Sequence, residues 1–221
     1  MRASESCYNT CMTKTVIWDF NGTIIDDTDL CLGIENRMLK ERNMKYGYTL
    51  EEYRDMFCFP VEDYYRKLGY TFEEESYEEL SVIFNDLYDQ AFPRAGLCEG
   101  FEELIGQSVE HGFRNVILSA TEKNKLLKQC KMLGISHYFS EILGIDNLLA
   151  GGKTAMAAKW MNASDIRPED CLYIGDSVHD LDTAEALGIP ECILVASGHQ
   201  SYEVLKHKCD HVVHSLKEIS L

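Results

Sequence analysis

The sequence of 221 residues lacks the features that mark several large classes of protein. No stretch approaches eighteen consecutive apolar residues, which excludes a transmembrane helix. The first fourteen residues are polar and contain no apolar core, so a secretory signal peptide is not expected. Hydrophobic residues make up 45% and charged residues 26% of the chain, which are ordinary values for a globular protein. This composition excludes collagen, coiled coil and general disorder.

Basic residues are scarce. The chain has 21 lysines and arginines against 37 aspartates and glutamates, and its net charge is −16. Such a protein repels the phosphates of nucleic acids and anionic membranes at long range, so neither is expected as a partner. It also repels an anionic small substrate, unless a lysine or a bound metal ion makes the binding site locally positive.

Paired cysteine motifs are also absent. The nine cysteines are odd in number and evenly spread, and no Cys-x-x-Cys occurs. Cys7 and Cys11 have no second pair of ligands nearby, so we do not expect a zinc site there. Reduced thiols in the cytoplasm are therefore a better interpretation than a disulfide framework.

Four short, continuous apolar runs rich in β-branched residues are each followed by a helix-like segment. Continuous apolar runs are typical of strands that are buried on both faces, and their alternation with helices predicts a parallel sheet. We therefore expect an α/β protein with a Rossmann-like parallel sheet core and helices on both faces. The predicted strands are Thr15–Trp18, Asn115–Leu118, Cys171–Ile174 and Cys192–Val195, with His211–Val213 as a short edge strand.

The segment 26–93 differs in character from the rest of the chain. Strand signals disappear, tyrosines and acidic residues accumulate, and apolar residues such as Leu80, Ile83 and Leu87 recur at helical spacing. This pattern predicts an inserted cap of about four helices. The core is then expected to comprise residues 12–25 and 94–221, and residues 1–11 are interpreted as a disordered tail.

The strongest chemical signal, Asp19-Phe20-Asn21-Gly22-Thr23, directly follows the first predicted strand. Ligands of parallel α/β proteins bind at the carboxyl ends of the strands. Gly22 and Thr23 predict a tight turn whose exposed N–H groups could hold an anion, and Asp19 beside it could act as a nucleophile or a metal ligand. An ordinary turn at the end of a strand is the alternative interpretation.

Two carboxylates follow the predicted strand Cys171–Ile174. Asp176 and Asp180 are four residues apart where a helix begins, so both can face one point. Close carboxylates repel each other unless a cation lies between them, and hard oxygen ligands suit Mg²⁺. Capping of the helix by Asp176 or Ser177 is the simpler alternative, and both interpretations can hold together.

A hydroxyl and a lysine complete the set of motifs. Ser119 ends the second predicted strand, Ala120 follows it, and Thr121 is the expected N-cap of a helix over residues 122–133. A serine hydroxyl at this place can donate to a phosphate oxygen. Lys153 opens an apolar helical stretch, where a cation opposes the helix dipole. A bound phosphoryl group or the Asp19 carboxylate would explain a lysine at that position.

In this order and spacing, the four motifs resemble the haloacid dehalogenase superfamily, in the phosphoglycolate-phosphatase-like branch that carries a helical cap after the first motif. The resemblance extends from Thr15 almost to the end of the chain. It implies that Asp19 is a nucleophile that forms an aspartyl-phosphate. It further implies that Asp176 binds Mg²⁺ together with Asp19 and the backbone carbonyl of Asn21, and that Asp180 completes or orients this shell.

The resemblance also implies how the substrate is held. The residues expected around the phosphoryl group are Ser119, Ala120, Gly22, Thr23 and Lys153. Lys153 would also pair with Asp19, so that lysine and metal ion together make the site locally positive on an acidic protein. The expected reaction is hydrolysis of a small phosphorylated metabolite such as phosphoglycolate. The sequence gives no indication of the oligomeric state.

The chain departs from the family at Asn21. Most phosphatases of the family have an aspartate there, which protonates the leaving oxygen and then activates water, and losing such a group costs about 10²–10⁴-fold in rate. Four explanations remain open: slow turnover of a good leaving group, another acid such as His179, deamidation of Asn21-Gly22, or a non-catalytic protein that binds a phospho-ligand. For a slow hydrolase, Asn21→Asp is expected to raise turnover.

Two segments of the predicted cap could contact the remote end of a substrate. One is Cys58-Phe59-Pro60-Val61, and the other is the basic pair Arg66-Lys67. Alternatively, Phe59 and Val61 belong to the core of the cap and the basic pair is solvated.

Overall fold

A computed structural model describes residues 14–147 and 152–221, and the predicted tail of residues 1–11 lies outside this part of the chain. The strands are β1 (Thr15–Trp18), β2 (Ile25–Asp26), β3 (Gly96–Leu97), β4 (Arg114–Glu122), β5 (Glu141–Ile145), β6 (Cys171–Gly175), β7 (Glu191–Val195) and β8 (Val212–Val213). The helices are α1 (Thr28–Glu41), α2 (Leu50–Met56), α3 (Val61–Leu68), α4 (Tyr77–Ala91), α5 (Phe101–Glu110), α6 (Lys123–Met132), α7 (Lys153–Ala163), α8 (Val178–Ala186) and α9 (Tyr202–Lys206).

Six strands form one parallel sheet in the order β5-β4-β1-β6-β7-β8, which confirms the predicted α/β class. Both faces of the sheet are covered. Val16 and Trp18 of β1 belong to a core that includes Leu104 of α5, whereas Ile17 belongs to a second core with Ala157 of α7. All of these side chains are buried, because successive residues of a strand point to opposite faces and both faces are covered by helices. This arrangement explains why the strands are continuously apolar.

The register of the sheet places the predicted motifs at one edge. Trp18, the last residue of β1, lies opposite Ile117 of β4 and Ile174 of β6. The residues that follow these strands are therefore neighbours, and the backbone N–H of Asp19 donates to the carbonyl oxygen of Ile174 over 2.8 Å. Asp19 and Asp176, which directly follow β1 and β6, consequently converge with Ser119, which lies in the last part of β4, at the carboxyl edge of the sheet.

The four helices α1–α4 lie between β2 and β3, and we refer to them as the cap. β2 and β3 pair antiparallel, with Ile25 opposite Leu97 and Asp26 opposite Gly96. This two-stranded ribbon lies where the sequence analysis expected the chain to leave and rejoin the core. Within the cap, α2 begins at a capping box formed by Thr49 and Glu52.

Two local predictions differ from the structure. β5 was not expected, since its sequence Glu-Ile-Leu-Gly-Ile is short, contains a glycine and lies at the edge of the sheet. Thr121 does not cap α6. Glu122 is the N-cap, and its carboxylate accepts hydrogen bonds from the backbone N–H groups of Asn124 and Lys125. Over residues 14–147 and 152–221, no helix combines the length and the apolar character needed to cross a membrane.

Candidate active site

Three buried carboxylates meet at the carboxyl edge of the sheet. Asp19 follows β1, Asp176 follows β6, and Asp180 lies in the first turn of α8. One carboxylate oxygen from each of the three residues lies within 4.8 Å of the other two oxygens. Burial raises the pKa of Asp19 well above its usual value, although Lys153 opposes the shift. Burial also raises the pKa of Asp176 to about 7. The three groups therefore resist being ionised together unless a cation compensates them.

Lys153 supplies one such cation. It is the first residue of α7, is 2% exposed, and places Nζ 2.5 Å from Oδ1 of Asp19 and 2.6 Å from Oδ1 of Asp180. Burial would lower the pKa of Lys153, but the carboxylates of Asp180 and Asp19 raise it well above its usual value. One positive charge facing three carboxyl groups leaves the edge able to accept a divalent cation. Gly151, which precedes the helix, lies outside the described residues.

Asp180 has both carboxylate oxygens occupied by protein groups. Oδ1 accepts from Lys153 and from the Tyr173 hydroxyl (3.2 Å). Oδ2 accepts from the backbone N–H groups of Asp176 and Ser177 and from the Ser177 hydroxyl. Ser177, not Asp176, is therefore the N-cap of α8, in a capping box with Asp180. Asp180 orients the loop and Lys153, and Asp19 and Asp176 are better placed to offer oxygen atoms.

Two glycines shape the space around Asp176. Gly22 has φ +71°, and a Cβ on it would lie 2.3 Å from Oδ2 of Asp176. A Cβ on Gly198 would lie 2.2 Å from the same oxygen. Real side chains do not tolerate such distances, so Gly22 is needed both for its backbone conformation and for this close approach. That oxygen also accepts the backbone N–H of His199 over 2.6 Å, which fixes the carboxylate.

The structure does not support the predicted phosphate contacts of Gly22 and Thr23. The N–H of Gly22 donates to the carbonyl oxygen of Ile25 (3.0 Å) and to Oδ1 of Asp27 (2.9 Å), so it is already used within the turn. Thr23 is fully buried and does not line the cavity described below. Sequence reasoning identified the turn but not Asp27, whose carboxylate accepts the N–H of Gly22, because Asp27 lies beyond β2.

β4 continues to Glu122, beyond its predicted end at Leu118, so Ser119 and Ala120 lie within the last part of the strand. Ser119 is 1% exposed, and its hydroxyl oxygen accepts the backbone N–H of Thr121 over 3.1 Å. The hydroxyl proton of Ser119 is thus left for an acceptor at the sheet edge. Ala120 and Thr121 line the cavity, and the Thr121 hydroxyl donates to Oδ1 of Asn21 over 2.8 Å.

The amide of Asn21 is held by three side chains. While its oxygen accepts from Thr121, its Nδ2 donates to Oδ2 of Asp27 (2.7 Å) and to the hydroxyl oxygen of Tyr88 (2.9 Å). The Tyr88 hydroxyl in turn donates to the same Asp27 oxygen over 2.6 Å. A carboxylate such as Asp27 only accepts hydrogen bonds, which determines the orientation of the Asn21 amide. Asn21 therefore links the end of β1, the cap helices and β4 through hydrogen bonds, one of which goes to the Asp27 carboxylate.

Asp27 and His199 are functional candidates that sequence reasoning missed. Asp27 is fully buried, and Nε2 of His199 lies 3.3 Å from its Oδ1. Burial would lower the pKa of His199, but Asp27 outweighs this effect and raises it to about 9. His199 follows β7, so the strand-end rule that selected Asp19 and Asp176 would have found it if applied to that strand as well.

The cap is fastened to the loop that carries His199. Nε of Arg54 in α2 donates to the carbonyl oxygen of Gly198 over 2.8 Å, and Nη2 of Arg54 donates to the carbonyl oxygen of Ser197 over 2.5 Å. The Tyr53 hydroxyl lies 2.8 Å from Nδ1 of His199. These contacts hold α2 above the three carboxylates.

A cavity of about 180 Å³ lies between the cap and the sheet edge. It contains the three carboxylates and Lys153 at one end. Phe59 and Val61 line it, as one of the two interpretations of the cap segment expected. Arg66 and Lys67 are exposed instead. His179 lines the cavity, but its ring stacks on Phe59 with the ring centres 4.6 Å apart. The aromatic lining of the cavity consists of Tyr53, Phe57, Phe59, Tyr64, Tyr65, Tyr77, Phe84 and Tyr88.

The ion pairs of Lys153 give a first prediction. The substitution Lys153→Met keeps the approximate length of the side chain but leaves the carboxylates of Asp19 and Asp180 without their cation. We expect the free energy of unfolding to fall by about 3–5 kcal/mol, as is typical when one partner of a buried ion pair is removed. Urea unfolding without added metal measures the change. Lys217→Met, which removes an exposed pair with Glu99, is the control and should cost at most about 1 kcal/mol. Equal losses in both variants would contradict the buried ion pairs.

Comparison with known proteins adds an independent line of evidence. A family model described as haloacid dehalogenase-like hydrolase matches residues 16–194. Pyrophosphatase PpaX of Oceanobacillus iheyensis is 22% identical over 213 residues, which cover 93% of this chain and 94% of that protein. Phosphoglycolate phosphatase 1 of Pseudomonas aeruginosa is 22% identical, with 90% and 75% covered. A haloacid dehalogenase-like family hydrolase from Streptococcus pneumoniae superposes with a TM-score of 0.76 at 18% identity, with 93% and 96% covered.

Proposed function

Because the chain belongs to the haloacid dehalogenase-like hydrolase family, we propose that it is a phosphatase that hydrolyses a small phosphomonoester with Asp19 as the nucleophile. The observation that carries this proposal is the position of Asp19 beside Asp176 and the Lys153 ammonium at the inner end of a cavity. The matched proteins named as phosphoglycolate phosphatases support the phosphoglycolate-phosphatase-like branch. The seven free thiols among the described cysteines support a reducing compartment such as the cytoplasm.

Mg²⁺ is the cofactor that we propose for this site. The donors that converge there are carboxylate oxygens, which suit a hard cation. The raised pKa of Asp19 and that of Asp176, about 7, both result first from burial, and a divalent ion would compensate this burial. Asp19, Asp176 and the backbone carbonyl of Asn21 would hold the ion, and Asp180 would orient the shell. When bound, the ion supplies positive charge that neutralises the transferring phosphoryl group.

In the proposed reaction, a carboxylate oxygen of Asp19 attacks phosphorus in line with the ester bond. The new O–P bond forms on Asp19, the ester P–O bond breaks, and the leaving oxygen takes a proton from water. A water molecule then attacks phosphorus, the O–P bond to Asp19 breaks, phosphate is released, and one proton returns to the solvent. Lys153 favours the ionised form of Asp19, as the proposed Mg²⁺ would, and attracts the phosphoryl oxygens, and the Ser119 hydroxyl donates to one of them. The closed cap excludes bulk water during transfer.

Asn21 determines how fast this cycle can run. An amide has no acidic proton that it can give to a leaving group. The N–H groups of Asn21 Nδ2 already donate hydrogen bonds to Asp27 and Tyr88. We therefore propose slow turnover, in which proton transfer to the leaving group is the poorly assisted step. A phospho-ligand binding protein is the second candidate function, and the hydrogen bonds that occupy the Asn21 amide are the observation that favours it.

The direct test combines activity and stability. With Mg²⁺, the purified protein should release phosphate from p-nitrophenyl phosphate, and EDTA should abolish the release. Mg²⁺ at about a hundred times its dissociation constant should add about 2.7 kcal/mol to the free energy of unfolding, which raises the Tm of a chain of this size by about 5–10 °C.

Two variants control this test. Asp176→Asn should lose the Mg²⁺-dependent rise in Tm, whereas Asp165→Asn, which removes an exposed carboxylate paired with Arg114, should keep it. A rise of the same size in Asp176→Asn would place the ion elsewhere. A protein that binds beryllofluoride but releases no phosphate would support the binding function over the hydrolase.

A further inference from the structure

One face of α1 leads from the catalytic edge into the cap. Asp27, Cys31 and Glu35 all line the cavity and are successively four residues apart, so they lie along a single stripe of the helix. With a rise of 1.5 Å per residue, Glu35 lies roughly 12 Å farther along the helix axis than Asp27. Because Asp27 contacts Asn21 directly, Glu35 marks the far end of the cavity from the phosphoryl site.

Two buried oxygen atoms in this cavity have no hydrogen-bond partner among residues 14–147 and 152–221. Within the part of the chain that the structure describes, Oε2 of Glu35 and Oε1 of Gln129 receive no hydrogen bond. Each residue is 4% exposed, and both line the cavity. Leaving a buried acceptor unpaired costs about 1–3 kcal/mol, and native proteins rarely do so without a reason. Oε1 of Gln129 accepts hydrogen bonds, and so does Oε2 of Glu35 when its carboxyl group is ionised, so a ligand that satisfies both atoms in that form donates to them.

The surroundings of these acceptors favour a positive charge. Burial raises the pKa of Glu35 to about 8, although a hydrogen bond from Tyr65 opposes this shift. A cationic donor beside Glu35 would lower this pKa and hold the buried carboxyl group in its ionised, hydrogen-bond-accepting form. The rings of Tyr64, Tyr65 and Phe84 line the same cavity, and aromatic faces attract cations.

An anionic group would find no free lysine among the described residues that line this cavity. Of the two lysines among its described lining residues, Lys153 pairs with Asp19 and Asp180. Lys125 places Nζ 2.7 Å from Asp89 and donates to Asn85 over 3.3 Å. The carboxylate of phosphoglycolate and the second phosphate of pyrophosphate are both anionic, and both are too short to reach Glu35 from the phosphoryl site.

Building on the proposed function, we propose that the leaving group of the substrate is an aromatic alcohol that ends in an amine, which donates hydrogen bonds to Glu35 and Gln129. The leaving group, together with its hydrogen bond to Glu35, spans roughly the 12 Å that α1 sets between Asp27 and Glu35. The aromatic lining holds the body of the leaving group, and Lys153 with the catalytic carboxylates holds the phosphoryl end. Glu35 and Gln129 are then the specificity-determining residues of the phosphatase.

Matched aryl phosphates test this assignment. We compare phenyl phosphates that carry an aminoethyl, an ethyl or a carboxyethyl group opposite the phosphate, with phosphoglycolate as the reference. We expect kcat/KM for the aminoethyl compound to exceed that for the ethyl compound by about 10–100-fold, since hydrogen bonds to charged groups are among the strong ones. Glu35→Gln and Gln129→Met should each reduce this ratio at least about threefold. Glu41→Gln, an exposed glutamate on the same helix, should leave it unchanged.

Binding of the corresponding aryl phosphonates, which cannot be hydrolysed, separates this inference from the proposed function. Calorimetry should show the same order of affinities: aminoethyl, then ethyl, then carboxyethyl. If this order holds but no phosphate ester is hydrolysed, the proposed hydrolase is wrong and the assignment of the pocket stands. If phosphate esters are hydrolysed but the carboxyethyl compound or phosphoglycolate is preferred, the assignment of the pocket is overturned. An unchanged preference in both Glu35→Gln and Gln129→Met would overturn it as well.

Discussion

The substitution Asp19→Asn is expected to reduce the rate of phosphate release more than about 10³-fold, because an amide cannot form the phosphoenzyme. The protein should remain folded. Lys153 keeps its partner Asp180 at 2.6 Å, and the substitution removes one of three carboxyl groups that repel each other. The steady-state rate of phosphate release from p-nitrophenyl phosphate with Mg²⁺ measures the loss.

A trapping experiment identifies the residue that carries the phosphoryl group. Acid quenching during turnover, followed by peptide mass spectrometry, should find one phosphoryl group on the peptide of Asp19 in the wild type and none in Asp19→Asn. Asp165→Asn, which changes an exposed carboxylate, should match the wild type in both measurements. If Asp19→Asn keeps more than about a tenth of the activity, another group is the nucleophile.

Exchanging the amide and the carboxylate at positions 21 and 27 is expected to raise turnover by about 10²–10⁴-fold, the usual contribution of a general acid–base group. The exchange requires both substitutions. In Asn21→Asp alone, the new carboxylate would lie 2.7 Å from Oδ2 of Asp27, and two carboxylates at that distance cannot both be ionised. The single variant should therefore be less stable and gain little. This prediction differs from the expectation based on sequence alone, in which Asn21→Asp by itself raises turnover.

In the double variant Asn21→Asp with Asp27→Asn, an amide at position 27 can donate to the carboxylate at position 21. Thr121 can still donate to position 21 as it does to Asn21. Single-turnover rates of the wild type, both single variants and the double variant form a cycle that isolates the coupling between the two positions. Asp27→Asn alone, which also removes the partner of His199, is the control for that loss. A double variant no faster than the wild type would show that proton transfer at position 21 does not limit turnover.

The structure disfavours two of the explanations for Asn21, namely proton transfer by His179 and deamidation of Asn21. His179 stacks on Phe59 of the cap, and burial lowers its pKa, so it holds its proton less well than an ordinary histidine. Deamidation requires the Gly22 nitrogen to attack the Asn21 amide, yet the N–H of Gly22 and the side chain of Asn21 are both fixed by hydrogen bonds. We therefore expect the folded protein to retain the amide, with no one-dalton gain on its peptide.

The sequence was sufficient where structure depends on neighbours along the chain. Apolar runs marked β1, β4, β6 and β7, because strands buried on both faces must be apolar throughout. β5 escaped because a short edge strand with a glycine carries little of that signal. The rule that ligands bind at the carboxyl ends of parallel strands brought Asp19 and Asp176 together without coordinates. The lysine at the start of α7 was found because its charge opposes the helix dipole.

The contacts between cap and core could be decided only by the tertiary structure. Asn21 meets Tyr88, which is 67 residues away along the chain, and Tyr53 meets His199 across 146 residues. No periodicity specifies such pairs, since they depend on how α1, α2 and α4 sit above the sheet edge. The same holds for the face of α1 that carries Glu35 and for its placement in one cavity with Gln129. Local patterning thus determined the fold and the catalytic edge, whereas the packing of the cap on the core determined the hydrogen bonds of Asn21 and the character of the pocket.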